Sequence, residues 1–117
     1  MVPGMPARVL LGNLEPIVAL GMRVVLEEQG LEVIGSEPRV QPLLLLAGQL
    51  HPDAVVLDLH ALDSRDVAER LRTAAPGAAI VLWARDEDVM EVGGRRIASP
   101  TPEALSGVLE GRSIAAP

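Results

Sequence analysis

Lysine does not occur in the 117 residues, so all ten basic side chains are arginine, and no site in this chain can use a compact ammonium where a planar fork will not fit. Cysteine is missing as well. That excludes a disulfide framework, a thiolate metal centre, a sulfur nucleophile and thiol redox chemistry, and it is the usage expected of a cytoplasmic protein. Phenylalanine and tyrosine are absent, which leaves Trp83 as the one ring on which a ligand could stack. Basic clusters are lacking too. With a net charge of −6 and nothing larger than Arg95-Arg96, the segment has no electrostatic footprint for a phosphate backbone and is expected not to bind nucleic acid directly. No apolar run approaches the roughly 20 residues that a membrane-spanning helix needs. The opening Met1-Val-Pro-Gly-Met-Pro6 lacks a basic stretch followed by a long apolar one, so residues 1–7 read as a short disordered leader and not as a signal peptide.

What is present is enough apolar material, 49% of the residues, to build one core in one domain. The most informative stretch is Ala54-Val-Val-Leu57, an apolar run closed by Asp58. A continuous run of this kind is the signature of a parallel strand buried on both faces, and open α/β sheets place their chemistry at the carboxyl ends of such strands. Asp58 is therefore the leading candidate site residue.

Strand and helix patterns alternate around it. Arg8 to Leu11 reads as a short strand ending at Gly12-Asn13, and Pro16 to Gln29 repeats apolar residues at helical spacing up to the stop at Gly30. A second strand follows over Leu31 to Gly35, and Pro42 sits in the first turn of a helix reaching Leu50. The four leucines Leu43 to Leu46 point all around that helix, so at least one should be exposed or covered by a partner. Ser64 is a suitable N-cap for a helix with Val67, Ala68 and Leu71 on one face, and Ala79 to Trp83 forms a fourth strand. Asp86 to Val92 has room for one or two helical turns, Arg95 to Ala98 is a weak fifth strand, and Thr101-Pro102 opens a last helix ending near Gly111. The alternation predicts a doubly wound α/β domain with a five-stranded parallel sheet in the flavodoxin-like order 2-1-3-4-5 and a shortened fourth helix. In that order Asn13 and Asp58 are neighbours.

From about Arg8 to Gly111 the sequence resembles the receiver domain of two-component response regulators. The residues that carry the resemblance are Arg8-Val-Leu-Leu-Gly-Asn-Leu-Glu-Pro16, His51-Pro-Asp-Ala-Val-Val-Leu-Asp-Leu59 and Pro102-Glu-Ala-Leu105. The resemblance implies a receiver-like domain over 8–111 with a tail or linker at 112–117, and it makes Asp58 the phospho-acceptor position. In that family the acceptor works with two acidic residues that hold Mg²⁺, a Ser/Thr and a Lys, because a hard cation and a positioned ammonium stabilise the transferring phosphoryl oxygens. This chain departs at each partner. Asn13 and Leu14 stand at the acidic-pair positions, with Glu15 one place away as a possible substitute acid; Trp83 stands at the hydroxyl position and Ala98 at the lysine position. Arg95 or Arg96 is the only cation near enough in sequence to stand in for the lysine, and an arginine fork is not a conservative replacement.

One acceptor beside four lost partners is expected of a degenerate receiver: a non-enzymatic, cytoplasmic protein-interaction module that works without phosphorylation, metal or cofactor. The tail from Glu110 to Pro117 is similar in style to the joint between receivers and a helix-turn-helix output domain, which implies a role in transcriptional regulation. Protein partners are expected, with homodimerisation through the first or last helix as one mode. The alternative is a working atypical receiver, phosphorylated on Asp58 by a histidine kinase with Mg²⁺ and with Asn13, Glu15 and an arginine as substitutes. A third class is a small cofactor-binding domain, since Asp58-Leu-His-Ala-Leu-Asp63 approaches the Asp-x-His-x-x-Gly signature of cobalamin-binding domains, but Asp63 replaces the required glycine and the motif lies on the third strand. A flavin would have no hydroxyl-rich phosphate loop after the first strand and only Trp83 to stack on.

Overall fold

A computed structural model describes residues 7–61, 63–84, 89–92 and 95–98. Three helices and six strands follow in the order β1 (Arg8–Leu11), α1 (Pro16–Glu28), β2 (Glu32–Ser36), α2 (Val40–Leu50), β3 (Ala54–Asp58), α3 (Ser64–Ala74), β4 (Ala79–Ala84), β5 (Val89–Val92) and β6 (Arg95–Ala98). The sheet order is β2-β1-β3-β4-β5-β6. Strands β2, β1, β3 and β4 are parallel, with Val9 paired to Ala54 and Asp58 paired to Trp83. Period-two alternation sends Val9, Leu11, Val56 and Val81 to the face under α1 and Leu10, Val55, Leu57, Ile80 and Leu82 to the face under α2 and α3.

The helix ends follow from local chemistry. Past α1, Gly30 takes a left-handed φ of 81°, its N–H bonds Glu27 O at 3.0 Å, and Leu31 N–H reaches back to Leu26 O at 3.1 Å. This is a Schellman closure, and Leu26 and Leu31 bury together against the sheet. The start of α3 differs from the sequence expectation. Asp63, at φ 62°, is the N-cap, and Ser64 is already the first helical residue, so its hydroxyl is turned to another use. On α2, Leu43 is fully buried and Leu45 is 63% exposed, as four consecutive leucines on one short helix require.

The far side of the sheet corrects the expected five parallel strands. No helix occupies Val89–Val92; those residues form β5, antiparallel to β4, and β6 returns antiparallel to β5. A helix of one or two turns is marginal in water, whereas the open edge of β4 offers a row of backbone groups that need partners. Pairing Leu82 with Glu91 and Trp83 with Met90 satisfies that edge and buries Met90 completely. The sheet is therefore six-stranded and mixed. The leader at 1–6 and the predicted final helix lie outside the described residues.

Among the described residues the hairpin is tied to α3 by charge. Arg65 on α3 donates two bonds of 3.1 Å to the two carboxylate oxygens of Glu91, and Arg96 on β6 approaches Glu91 Oε2 at 3.4 Å. Hydrogen bonding from Arg65, helped by the charges of Arg65 and Arg96, holds the Glu91 carboxyl below its ordinary range although the side chain is only 14% exposed. A carboxyl depressed on folding contributes stability above the unfolded-state value of about 4.3, and that contribution is lost as pH falls through the lower folded-state value. Glu91→Gln is expected to flatten this part of the acid limb of a stability-against-pH curve below about pH 4. An unchanged acid limb in urea titrations would show that the pair adds nothing to the fold.

Candidate functional site

The site forms where the ends of β1 and β3 lie side by side. Gly12 leaves β1 with its N–H bonded to Val56 O at 2.8 Å, under the tips of Leu43 and Leu57. A Cβ built on Gly12 would stand 2.5 Å from Leu57 Cδ2 and 2.7 Å from Leu43 Cδ2, so glycine is what lets the loop run this close to the core. Asn13 then turns toward β3. Its Oδ1 accepts the Asp58 N–H at 3.0 Å, its Nδ2 donates to Ser64 Oγ at 3.0 Å, and Ser64 Oγ donates to the Asp58 carbonyl. One amide and one hydroxyl thus close a ring from β1 through β3 to the start of α3. Ser64 is buried within it.

Asp58 itself is half-buried, and its Oδ1 accepts the His60 N–H at 2.9 Å, a local turn that fixes the carboxylate over the loop. The carboxylate lines a cleft of ≈ 180 Å³ together with Leu14, Glu15, Val18, Met22, His60 and Trp83. Of the two acidic-pair positions, Asn13 is committed to the hydrogen-bonded ring and Leu14 is buried in the core under α1. Glu15 is exposed at the N-cap of α1, makes no side-chain cap bond, and shares the cleft with Asp58. Among the described residues, no three carboxylate or imidazole side chains gather into a group fit for a metal ion.

Trp83 pairs with Asp58 across the β3–β4 ladder, and its carbonyl accepts the Leu59 N–H at 3.0 Å. Its ring packs on the α1 side of the sheet and is shared by two concavities. One is the Asp58 cleft; the other is an apolar groove of ≈ 300 Å³ along α1 lined by Ile17, Val18, Gly21, Met22, Val25 and Leu26. Val18, Met22 and Trp83 line both spaces, and the cleft at Asp58 remains open beside the indole.

The lysine position is moved as well as substituted. Ala98 lies on β6, and β5 separates β6 from β4. With strands about 4.8 Å apart, β6 runs roughly 14 Å from β3, one full strand farther than the expected five-stranded order would place it. Of the two arginines expected as stand-ins, Arg96 is bonded to Glu91, and the Arg95 side chain lies outside the described residues. Sequence reasoning placed Asn13 beside Asp58, and the two are hydrogen-bonded; Glu15 and Trp83 line the same cleft as Asp58. It missed Ser64 as a member of the site, because a serine opening a helix reads as a cap; the available signal was the left-handed tendency of the preceding Asp63.

No protein-family model and no curated protein sequence matches the chain. Solved structures do. A mutant of the PhyR anti-anti-sigma factor from Bartonella quintana superposes with a TM-score of 0.70 at 16% identity, covering 95% of this chain and 51% of that one. The signal receiver domain of a modulated diguanylate cyclase from Desulfovibrio desulfuricans G20, described as an example of alternate folding, superposes at 0.62 with 20% identity, covering 95% of this chain and 77% of that one. The chain has a receiver-like α/β fold. It spans about half the length of the PhyR chain it matches. No helix among the described residues is long and apolar enough to cross a membrane.

Proposed function

We propose that this domain is a degenerate receiver: a non-catalytic protein-interaction module in signalling whose binding state does not depend on phosphorylation of Asp58. The observation that carries the reading is the ring of Asn13, Asp58 and Ser64, which spends on structure the side chain at the position where a metal-binding acid is needed. Leu14 in the core, Trp83 across from Asp58 and β6 set one strand farther out support it from three other sides. Among the described residues, a phosphoryl group on Asp58 would meet no cation in its cleft and, of the carboxylates needed to hold Mg²⁺, Glu15 alone. The similar chains named above are an anti-anti-sigma factor and the signal receiver domain of a diguanylate cyclase; the first of these supports reading the domain as part of a cytoplasmic regulator of transcription.

A second reading is favoured by one observation: Asp58 and Glu15 both line the ≈ 180 Å³ cleft. In it Asp58 is phosphorylated, with Glu15 as the surviving acid for Mg²⁺. Amide spectra of the isotope-labelled full chain separate the two. Beryllofluoride with Mg²⁺ is expected to leave the resonances of Leu57 to His60 and of Ser64 where they are. Shifts centred on Asp58 that vanish in Asp58→Asn and weaken in Glu15→Gln would establish the second reading in place of the first.

A further inference from the structure

We infer that the Asp58 cleft is a receptor for the guanidinium of an arginine that a partner protein presents on its surface. This names the partner's chemistry for the interaction-module reading and rests on it. The cleft combines three kinds of wall from separate elements: the carboxylates of Asp58 at the end of β3 and Glu15 at the start of α1, the indole of Trp83 on β4, and the apolar side chains of Leu14, Val18 and Met22. Carboxylates alone would suit any cation, and among the described residues they form no group fit for a metal ion. An indole and aliphatic walls narrow the choice to a cation that is weakly hydrated and flat enough to stack, and of the two long cationic side chains that is arginine. The carboxylates then accept from its N–H fork. Asp58 Oδ1 already accepts the His60 N–H at 2.9 Å, and a carboxylate with about four acceptor sites has capacity left.

Charge and size point to the same occupant. No arginine among the described residues lines the cleft, and the start of α1 adds only about half a positive charge, so the two carboxylates leave the cleft negative on a chain whose net charge is already −6. At ≈ 180 Å³ the cleft is smaller than the roughly 300 Å³ at which pockets begin to hold drug-sized ligands, so it takes one side-chain head and leaves the rest of the ligand outside. A single head group in an open cleft binds weakly. A useful complex therefore needs the surface around the arginine as well, which a protein has and a free small amine lacks. The ring of Asn13, Asp58 and Ser64 fixes the loop before the partner arrives, so docking costs little reordering on this side.

Trp83 is the only tryptophan and tyrosine is absent, so the intrinsic fluorescence of the full chain reports on this cleft alone. Nα-acetyl-arginine methylamide is titrated at constant ionic strength and about pH 8, above the ordinary range of an imidazole. It is expected to change the emission saturably, with half-effect at about 1–10 mM, and to shift the amide resonances of Leu57 to His60. The equally blocked citrulline, a neutral match in shape, is expected to give no saturable change, and blocked lysine to bind at least about threefold more weakly. Glu15→Gln, an exposed change that spares the fold, is expected to weaken arginine binding about fivefold, and Asp58→Asn about tenfold. Equal responses to arginine and citrulline, or binding unaltered in both variants, overturns the inference. Equal binding of blocked lysine overturns the choice of a guanidinium. Free arginine that binds about tenfold tighter than the blocked form makes the ligand a small molecule and overturns the docking of a protein. Arg85 follows Trp83 by two residues and lies outside the described residues; binding that emerges only in Arg85→Gln means that the chain fills the cleft with its own guanidinium, which also overturns it. A beryllofluoride response beside arginine binding defeats the phosphorylation-independent reading and leaves the arginine site standing, whereas neither response defeats the site and leaves that reading.

Discussion

Asn13→Ala is expected to destabilise the domain by about 2 kcal/mol, because it removes both bonds of one amide and leaves the half-buried Asp58 N–H without its acceptor. For a domain of this size that is a fall of roughly 8–16 °C in melting temperature, followed by far-ultraviolet circular dichroism. Asn13→Asp keeps an acceptor for the Asp58 N–H but loses the donor to Ser64 and brings a second carboxylate to the site; a smaller loss of about 1 kcal/mol is expected. Ser64→Ala removes the other half of the ring. Since the two side chains share a bond at 3.0 Å, the double variant should cost less than the two single losses added together. An Asn13→Ala protein that melts with the parent would mean that the ring is not what holds β1, β3 and α3 in place.

Trp83→Ala carries the other large effect. Full truncation of a buried tryptophan costs about 3–5 kcal/mol, and a half-buried one should lose about 2–3 kcal/mol. The change also removes a side chain that lines both the ≈ 180 Å³ Asp58 cleft and the ≈ 300 Å³ apolar groove along α1, which is expected to enlarge the apolar surface open to solvent there. Urea unfolding by circular dichroism measures the first consequence, and increased binding of a hydrophobic dye measures the second. Trp83→Thr provides the sharper comparison. It restores a small hydroxyl at the end of β4 and is expected to lose similar stability without gaining any beryllofluoride response, because Asn13 and the outlying β6 are unchanged. A response in that variant would make the indole the single block to phosphoryl chemistry.

The inner sheet was legible because its strands are buried on both faces, and continuous runs such as Ala54 to Leu57 allow no other placement. The amphipathic face of α3 was equally clear from Val67, Ala68 and Leu71. The β5–β6 pair was not. Val89-Met-Glu-Val92 is short enough to suit a helical turn or a strand, and expectation of a fourth helix decided for the turn. Gly93-Gly94 between two four-residue runs was the hairpin signal available. At the candidate site, position along the chain foretold that Asn13 and Asp58 would meet, but the bond network depends on a backbone N–H, a carbonyl and a hydroxyl whose directions no spacing rule supplies.

The hairpin also divides the molecule by how its parts come undone. Pairing β1 with β3 joins Val9 to Ala54, so opening it must disturb the whole body of the domain, while β5 and β6 are bound chiefly to each other and to one edge. Such a ribbon is a small cooperative unit with its own opening free energy, below that of the global transition. Its amides should exchange with solvent long before those of β1 and β3. That edge is therefore expected to loosen and re-form while the loop around Asp58 stays closed, so the ribbon and the Asp58 loop would run on separate clocks.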